Sequence, residues 1–429
     1  MSSKIIINGG KPLRGTVTPV ANKNSILKLI PACVLAEEPV TLRNVPMSSA
    51  VKLFLQVFRQ LGGKVVTHRD GSITLDSSTV NTYKIDEVLA EKERATFVFL
   101  GPLLARFGKA EISDPGGCKL GNRPLDAMFQ GLQALNVKLD KENGYKVYTD
   151  GLKGNENIWL VEASVTGTEN IILAAVKAKG RTIIYNAACE PHTQDLCNFL
   201  VSLGARIEGI GSNRLTIDGV ETLHGGEWTV ISDHIDIGGW IVATAVTGGE
   251  VLIKNAIPQH MTQILNYMGK INVKVEIRGE DIFVPAKQNL ECKHNIRGDI
   301  DKIPDQPWPG YPVDLIPQIL VLATCAKGNI KVLSNMYETQ LFFVEELQKM
   351  KASLVMSHPH QVITFGPAKL KGSTITAPNI LQCVHAVLLA GLAAEGKTTI
   401  LNADMLMRRY PQIIDSLKQL GADIELVEE

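Results

Sequence analysis

Residues 242–251 read VATAVTGGEV: a run of small apolar residues, a glycine stop, and the first β-branched residue of the next segment. The same phrase recurs at LAEEPV (35–40), LARFGKA (104–110), AAVKAKGRT (174–182), LATCAKGN (322–329) and LAAEGKT (392–398). Each reads as the end of an apolar helix, a turn and a short strand that stops at a polar residue. Those residues are Asn44, Asp114, Asn186, Asn255, Asn335 and Asn402, roughly 70 positions apart. A second helix follows each, with apolar residues at i, i+3 and i+4, as in VKLFLQVFRQLGGKV (51–65), LCNFLVSLGARI (196–207) and IIDSLKQLGADI (413–424). A glycine or small residue stops it. Polar tips such as RDGS (69–72), KENG (141–144) and IGSN (210–213) then separate two strands, which reads as a hairpin.

The phrase is therefore a βαβαββ unit written six times. Such a unit cannot bury its helices alone, so several must converge with helices inside and sheets outside. The sequence predicts an α/β protein: a two-domain inside-out α/β barrel of six βαβαββ repeats, three per domain. The domains are expected at 23–232 and, discontinuously, at 1–22 with 233–429. A generic α/β solenoid could share the period, but it would need atypical polar caps, and the terminal copies resemble the internal ones.

At 429 residues the chain exceeds what one core usually fills, and 45% apolar with 21% charged residues is a globular profile. Lysine plus arginine and aspartate plus glutamate balance at 44 each, so no global field favours nucleic acid or an anionic membrane. An anionic ligand must be gathered by a local cluster. Seven scattered cysteines without a CxxC pair argue against disulfides or zinc and for a reduced, cytoplasmic setting. No signal-peptide run follows the N-terminal lysine, and no window of ~18 apolar residues predicts a spanning helix. GxxxxGK[ST] and HExxH motifs are absent, GIGSNR (209–214) lacks the context of a dinucleotide fingerprint, and neither a metal nor a cofactor is implied.

Four segments break the repeat with residues that packing does not require. In ANKNSIL, Lys23 and Asn24 open a helix, where exposed N–H groups, an ammonium and an amide make an anion and hydroxyl site; a merely solvated lysine is the other reading. In DPGGCKLGNRPLD (114–126), two glycines precede Cys118, with Lys119 and Arg123 close by, describing either a loop with an activated thiol or a buried structural cysteine. In PDQPWPGYPVD (304–314), four prolines lead to Asp314, which they would hold rigidly as a general base requires; a plain linker has the same composition. In MRRYP, Arg408 and Arg409 are expected to begin the last helix.

Together with SVTGTENI (164–171) and NAACEPHTQDLCNFL (186–200), these segments resemble the UDP-N-acetylglucosamine 1-carboxyvinyltransferases, enolpyruvyl transferases that move enolpyruvyl from phosphoenolpyruvate to a sugar 3-hydroxyl. The likeness runs from the first strand to the last. It implies the enolpyruvyl transferase type of inside-out barrel, phosphoenolpyruvate and UDP-N-acetylglucosamine as partners, and a place in peptidoglycan precursor synthesis. It also implies roles: Lys23 holding phosphoenolpyruvate and helping its phosphate leave, Cys118 over that substrate, Arg123 on phosphate, and Asp314 taking the hydroxyl proton. Arg94 and Arg408 would belong to the anion cluster, while Asn24, Ser164 and Val165 would touch the nucleotide sugar. Shikimate-pathway synthases, also related, lack the cysteine loop.

The chain departs from the pattern at Gln340 and Gln382, where the family has arginines that clamp phosphoenolpyruvate. A charge-assisted hydrogen bond contributes ~1.5–3 kcal/mol, so losing two should weaken donor binding, and restoring both arginines should tighten it more than either alone. Thr166 and Val98 replace a glycine and an aromatic near the sugar in the family. These departures keep two alternatives in view: an enolpyruvyl transferase acting on another uridine nucleotide, and a non-catalytic nucleotide-sugar-binding relative.

Overall fold

The computed structural model describes residues 3–114, 124–337 and 339–428. The chain forms two compact units, one from residues 1–20 with 232–429 and one from 21–231. Each has its own hydrophobic core.

In the unit of residues 21–231, three helices are buried along most of their length: Lys23–Ala32, Leu100–Phe107 and Val165–Ala175. In the other unit the corresponding helices are His234–Thr247, Ile316–Cys325 and Leu381–Ala393. These helices are buried on most sides, whereas Ser49–Gln60 and Ile413–Gln419 bury one stripe and expose the other. Gly248, at φ 65°, ends its helix in the left-handed conformation that a side chain would strain. Gly239 allows close helix packing, since a Cβ there would lie 2.5 Å from the His385 ring.

The described residues form five four-stranded sheets and one three-stranded sheet. Five share one order: an incoming strand runs parallel to a central strand, which pairs antiparallel with the second strand of a hairpin. Gly226–Thr229, Val40–Arg43, Ile73–Asp76 and Lys64–Thr67 illustrate it. In the three-stranded sheet, the parallel Lys84–Glu111 bridge takes the place of the incoming strand. The remaining sheet differs, because its central strand Lys397–Leu401 pairs with Ser3–Asn8, which in turn pairs with Asp423–Glu428. The N-terminal strand supplies what the sequence after residue 423 does not, and this ties residues 1–20 to the later unit.

Asn44, Asn186, Asn255 and Asn402 all adopt positive φ between 48° and 58° within two residues of the ends of their strands. Asparagine tolerates this region better than other residues with a side chain, which gives the repeated polar stop a backbone reason. Arg408 and Arg409 do not begin the last helix as the sequence suggested. They close a short helix, Asp404–Arg409, and Pro411 separates it from Ile413–Gln419, because a residue before proline disfavours helical backbone.

Candidate functional site

In the unit of residues 21–231, Asn22 accepts the Ser25 N–H at 3.0 Å and so caps the helix that Lys23 and Asn24 open. Lys23 Nζ lies 3.8 Å from Glu93 Oε2 in a half-buried pair. Arg94 begins the 3-10 helix Arg94–Phe99 and directs Nη2 at the Pro124 carbonyl, 3.5 Å away. Ser164 caps the helix that starts at Val165, accepting the Gly167 N–H at 3.2 Å. The Lys23 helix and the Val165 helix thus each begin with a polar side chain holding the first turn. Val98 is fully buried in the core and has no surface to offer a sugar, whatever replaced the family's aromatic. Cys118 and Arg123, with Lys119, lie outside the described residues.

Beneath the first turn runs a polar layer that the sequence reading passed over. Lys28 Nζ meets Glu169 Oε2 at 3.3 Å, and His192 Nε2 lies 4.0 Å from the other carboxylate oxygen, with all three side chains almost wholly buried. Burial pushes the Glu169 carboxyl up to about 7 against the pull of Lys28. Ser25 donates to Asp195, which also accepts from Trp228 Nε1 at 3.1 Å; burial pushes Asp195 up to about 6. The signal was available: Lys28 interrupts the apolar run SILKLI and Glu169 precedes NIILAA. Charges inside an all-buried helix need partners.

In the other unit, Asp314 sits in the 3-10 turn Val313–Leu315. Both departing glutamines hold that turn. Gln382 Nε2 donates to Asp314 Oδ1 at 2.7 Å, and Gln340 Nε2 donates to the Val313 carbonyl at 2.8 Å while its Oε1 accepts from Ser334 Oγ at 2.8 Å. Gln340 is only 1% exposed, so it is a brace within the fold.

Close to this turn lies an acidic cluster. Asp233 caps its helix through the Ile235 N–H at 2.9 Å and pairs with Arg409 Nη2 at 3.0 Å. Asp236 accepts from the Val20 N–H and from Trp240 Nε1, and burial pushes it up to about 7. Burial holds His234 and His385 down at about 4, so both are neutral at pH 7. Arg408 lies in the helix Asp404–Arg409. Among the described residues no group of three or more histidine, cysteine, aspartate or glutamate side chains is placed to hold a metal ion. Nor is any described helix long and apolar enough to cross a membrane.

The sequence model of the EPSP synthase (3-phosphoshikimate 1-carboxyvinyltransferase) family matches residues 7–428, and the chain belongs to that family. Within it, the chain is 40% identical over 424 residues to the UDP-N-acetylglucosamine 1-carboxyvinyltransferase of Treponema denticola, covering 99% of both. It is 41% identical over 425 residues to the protein of that name from Borreliella burgdorferi, covering 98% of both. Among solved structures, the enolpyruvyl transferase NikO from Streptomyces tendae superposes with a TM-score of 0.85 at 20% identity over 99% of each chain. EPSP synthase from Acinetobacter baumannii does so with 0.77 at 18% identity over the full length of both, and these two likenesses speak to the fold.

Proposed function

We propose that this chain is an enolpyruvyl transferase that moves the enolpyruvyl group of phosphoenolpyruvate to the 3-hydroxyl of UDP-N-acetylglucosamine and releases phosphate, a step toward peptidoglycan precursors. The observation that carries the reading is about 40% identity, over 98–99% of this chain and of its relatives, to proteins bearing that activity in their name.

The residue roles belong to the same proposal. Lys23, opening a capped helix, holds phosphoenolpyruvate and eases departure of its phosphate. Asn24, Ser164 and Val165, at two helix starts, meet the nucleotide sugar. Asp314, fixed in its turn by Gln382, accepts the proton that the sugar hydroxyl loses as its oxygen bonds to the enolpyruvyl carbon. Arg94 and Arg408 add positive charge for the anionic groups. The roles of Cys118 and Arg123 at the donor rest on sequence resemblance alone.

The finer architecture is proposed likewise: each compact unit is a domain of three βαβαββ copies in an inside-out barrel. The buried helix triplets and the shared strand order support it. A cytoplasmic setting is part of the reading, supported by six described cysteines that are all free thiols.

Incubation with phosphoenolpyruvate and a panel of uridine nucleotides, reading phosphate release, tests the proposal. Release is expected with UDP-N-acetylglucosamine. Release only with a different uridine nucleotide would mark another acceptor, and none with any would mark a non-catalytic relative.

A further inference from the structure

The polar layer beneath Lys23 has no part in the roles above. Its helix, Lys23–Ala32, is buried without a break over residues 25–32, and most of that run is apolar. Apolar contact is non-directional, so it fixes how deep a helix lies better than how it is rolled about its axis. The roll matters here: successive residues point ~100° apart around a helix, and Lys23 and Asn24 stand in its first turn.

Two polar contacts set that roll. Ser25 and Lys28, three positions apart, share one face of the helix. Ser25 Oγ donates to Asp195 of the helix Pro191–Ser202, and Trp228 Nε1 donates to the other oxygen of that carboxylate at 3.1 Å. Lys28 Nζ lies 3.3 Å from Oε2 of Glu169, which belongs to the helix Val165–Ala175; the two side chains are 6% and 0% exposed. Neither Glu169 oxygen makes a hydrogen bond with a described residue, so this second contact is one of charge. It joins the two helices whose starts carry the proposed ligand contacts, since Lys28 is five residues beyond Lys23 and Glu169 four beyond Val165. Replacing a buried ion pair by apolar side chains is often neutral or stabilising, so stability alone gives no reason for an ammonium and a carboxylate in this core.

We infer that Lys28 and Glu169 are positioning residues: their buried contact, with the Ser25–Asp195 bond on the same face, holds the Lys23–Asn24 helix start in register with the Ser164–Val165 start, so that donor and acceptor meet in reacting geometry. Both side chains lie in the core and act through the helices that carry them. The inference rests on the proposed enolpyruvyl transfer and on those two helix starts as the ligand contacts.

The test is kcat and both KM values for phosphate release, together with thermal midpoints, in wild type, K28M, K28M/E169M and S25A, using the uridine nucleotide that wild type accepts. K28M should lower the midpoint, because it leaves a buried carboxyl without its partner. K28M/E169M should regain the midpoint and still keep kcat about tenfold or more below wild type, since a misplacement of ~1 Å can cost about 10²-fold. Its KM values should stay near those of wild type, because each helix start keeps its own ligand contacts. A double variant that regains kcat along with its midpoint would overturn the inference and leave a stabilising role. KM values that rise while kcat holds would overturn it too, by showing that each start is loosened by itself. If the double variant does not fold, S25A decides, since it removes a single hydroxyl: a lowered kcat with unchanged KM values supports the inference, and a wild-type kcat overturns it. A wild type that releases no phosphate with any nucleotide removes the functional reading and the inference with it, whereas an active wild type beside an equally active double variant removes the inference alone.

Discussion

Gln382 donates its side-chain amide to Asp314 at 2.7 Å, while Gln340 braces the preceding carbonyl of the same turn. Two residues that looked interchangeable in the sequence, each a glutamine where relatives would carry arginine, therefore do different work. Gln382 is partly accessible and faces the carboxylate; Gln340 is sealed in the fold with both ends of its amide bonded. The expectation that both arginines could be restored to advantage does not survive this geometry.

Q382R should tighten phosphoenolpyruvate about tenfold, the worth of ~1.4 kcal/mol, in calorimetric titration with the nucleotide sugar already bound. Q340R should not tighten it. A guanidinium there cannot accept from Ser334 and would bury an unpaired charge, so its thermal midpoint should fall well below that of wild type. Equal affinity in Q382R and wild type would mean that the anion is gathered elsewhere.

Cysteine reactivity offers a second check. Cys33, Cys189, Cys197, Cys292 and Cys383 are buried, and burial raises the thiols of all five, to about 11 for Cys189 and Cys292 and about 12 for Cys197. Such thiols are poor nucleophiles at pH 7. Cys118, with Lys119 and Arg123 beside it in sequence, should therefore be the site modified by fosfomycin, an epoxide that mimics phosphoenolpyruvate. Peptide mass spectrometry checks this, with a general thiol reagent as control. An adduct on any of the buried five, or none at Cys118 while the control reacts there, would count against a working donor pocket.

Much of the local structure was legible because backbone rules are local. RDGS, KENG and IGSN each separate the paired strands of a hairpin, and four of the asparagines at strand ends, Asn44, Asn186, Asn255 and Asn402, occupy positive φ. What escaped was set by distant residues. Nothing near residue 423 announces that the strand completing its sheet is Ser3–Asn8, over 400 positions earlier. The start of the last helix was placed at Arg408 and Arg409 instead of Ile413, because apolar periodicity continues across Pro411. Val98 and Gln340 could be aligned with functional positions, yet only packing shows that both point into the core. The polar layer of Lys28, Glu169 and Asp195 was visible as charge in the wrong place, but its pairing joins helices that are far apart in sequence.

The backbone stops are testable in their own right. Asn186 holds φ 56° and donates its amide to the Leu160 carbonyl at 3.0 Å. N186A should lose both the tolerated left-handed geometry and the hydrogen bond, destabilising the fold by about 2 kcal/mol in urea denaturation. N186G should recover part of that loss by relieving the backbone alone. A glycine variant no more stable than the alanine variant would show that the hydrogen bond, and not the conformation, selects asparagine.

The buried Glu169 predicts how stability depends on pH. Its folded value, about 7, lies above its ordinary value of 4.5, so the folded chain binds this proton more tightly than the unfolded chain does. The resulting stabilisation is complete below the ordinary value and is lost as pH rises through the folded one. Between pH 5 and pH 7 the loss from this group is about 2 kcal/mol, with one pKa unit worth ~1.36 kcal/mol. E169Q, which keeps the shape and cannot ionise, should remove that part of the slope: the difference between its urea unfolding free energies at pH 5 and pH 7 should be about 2 kcal/mol smaller than in wild type. Asp195 and Asp236, also raised by burial, contribute in the same direction and remain in both proteins, so the comparison isolates Glu169. K28M gives the complementary result. Without the ammonium 3.3 Å away, Glu169 should hold its proton to still higher pH, and the loss of stability should shift upward. An E169Q slope equal to that of wild type would mean that Lys28 keeps Glu169 ionised throughout, with the pair acting as a buried salt bridge across the whole range.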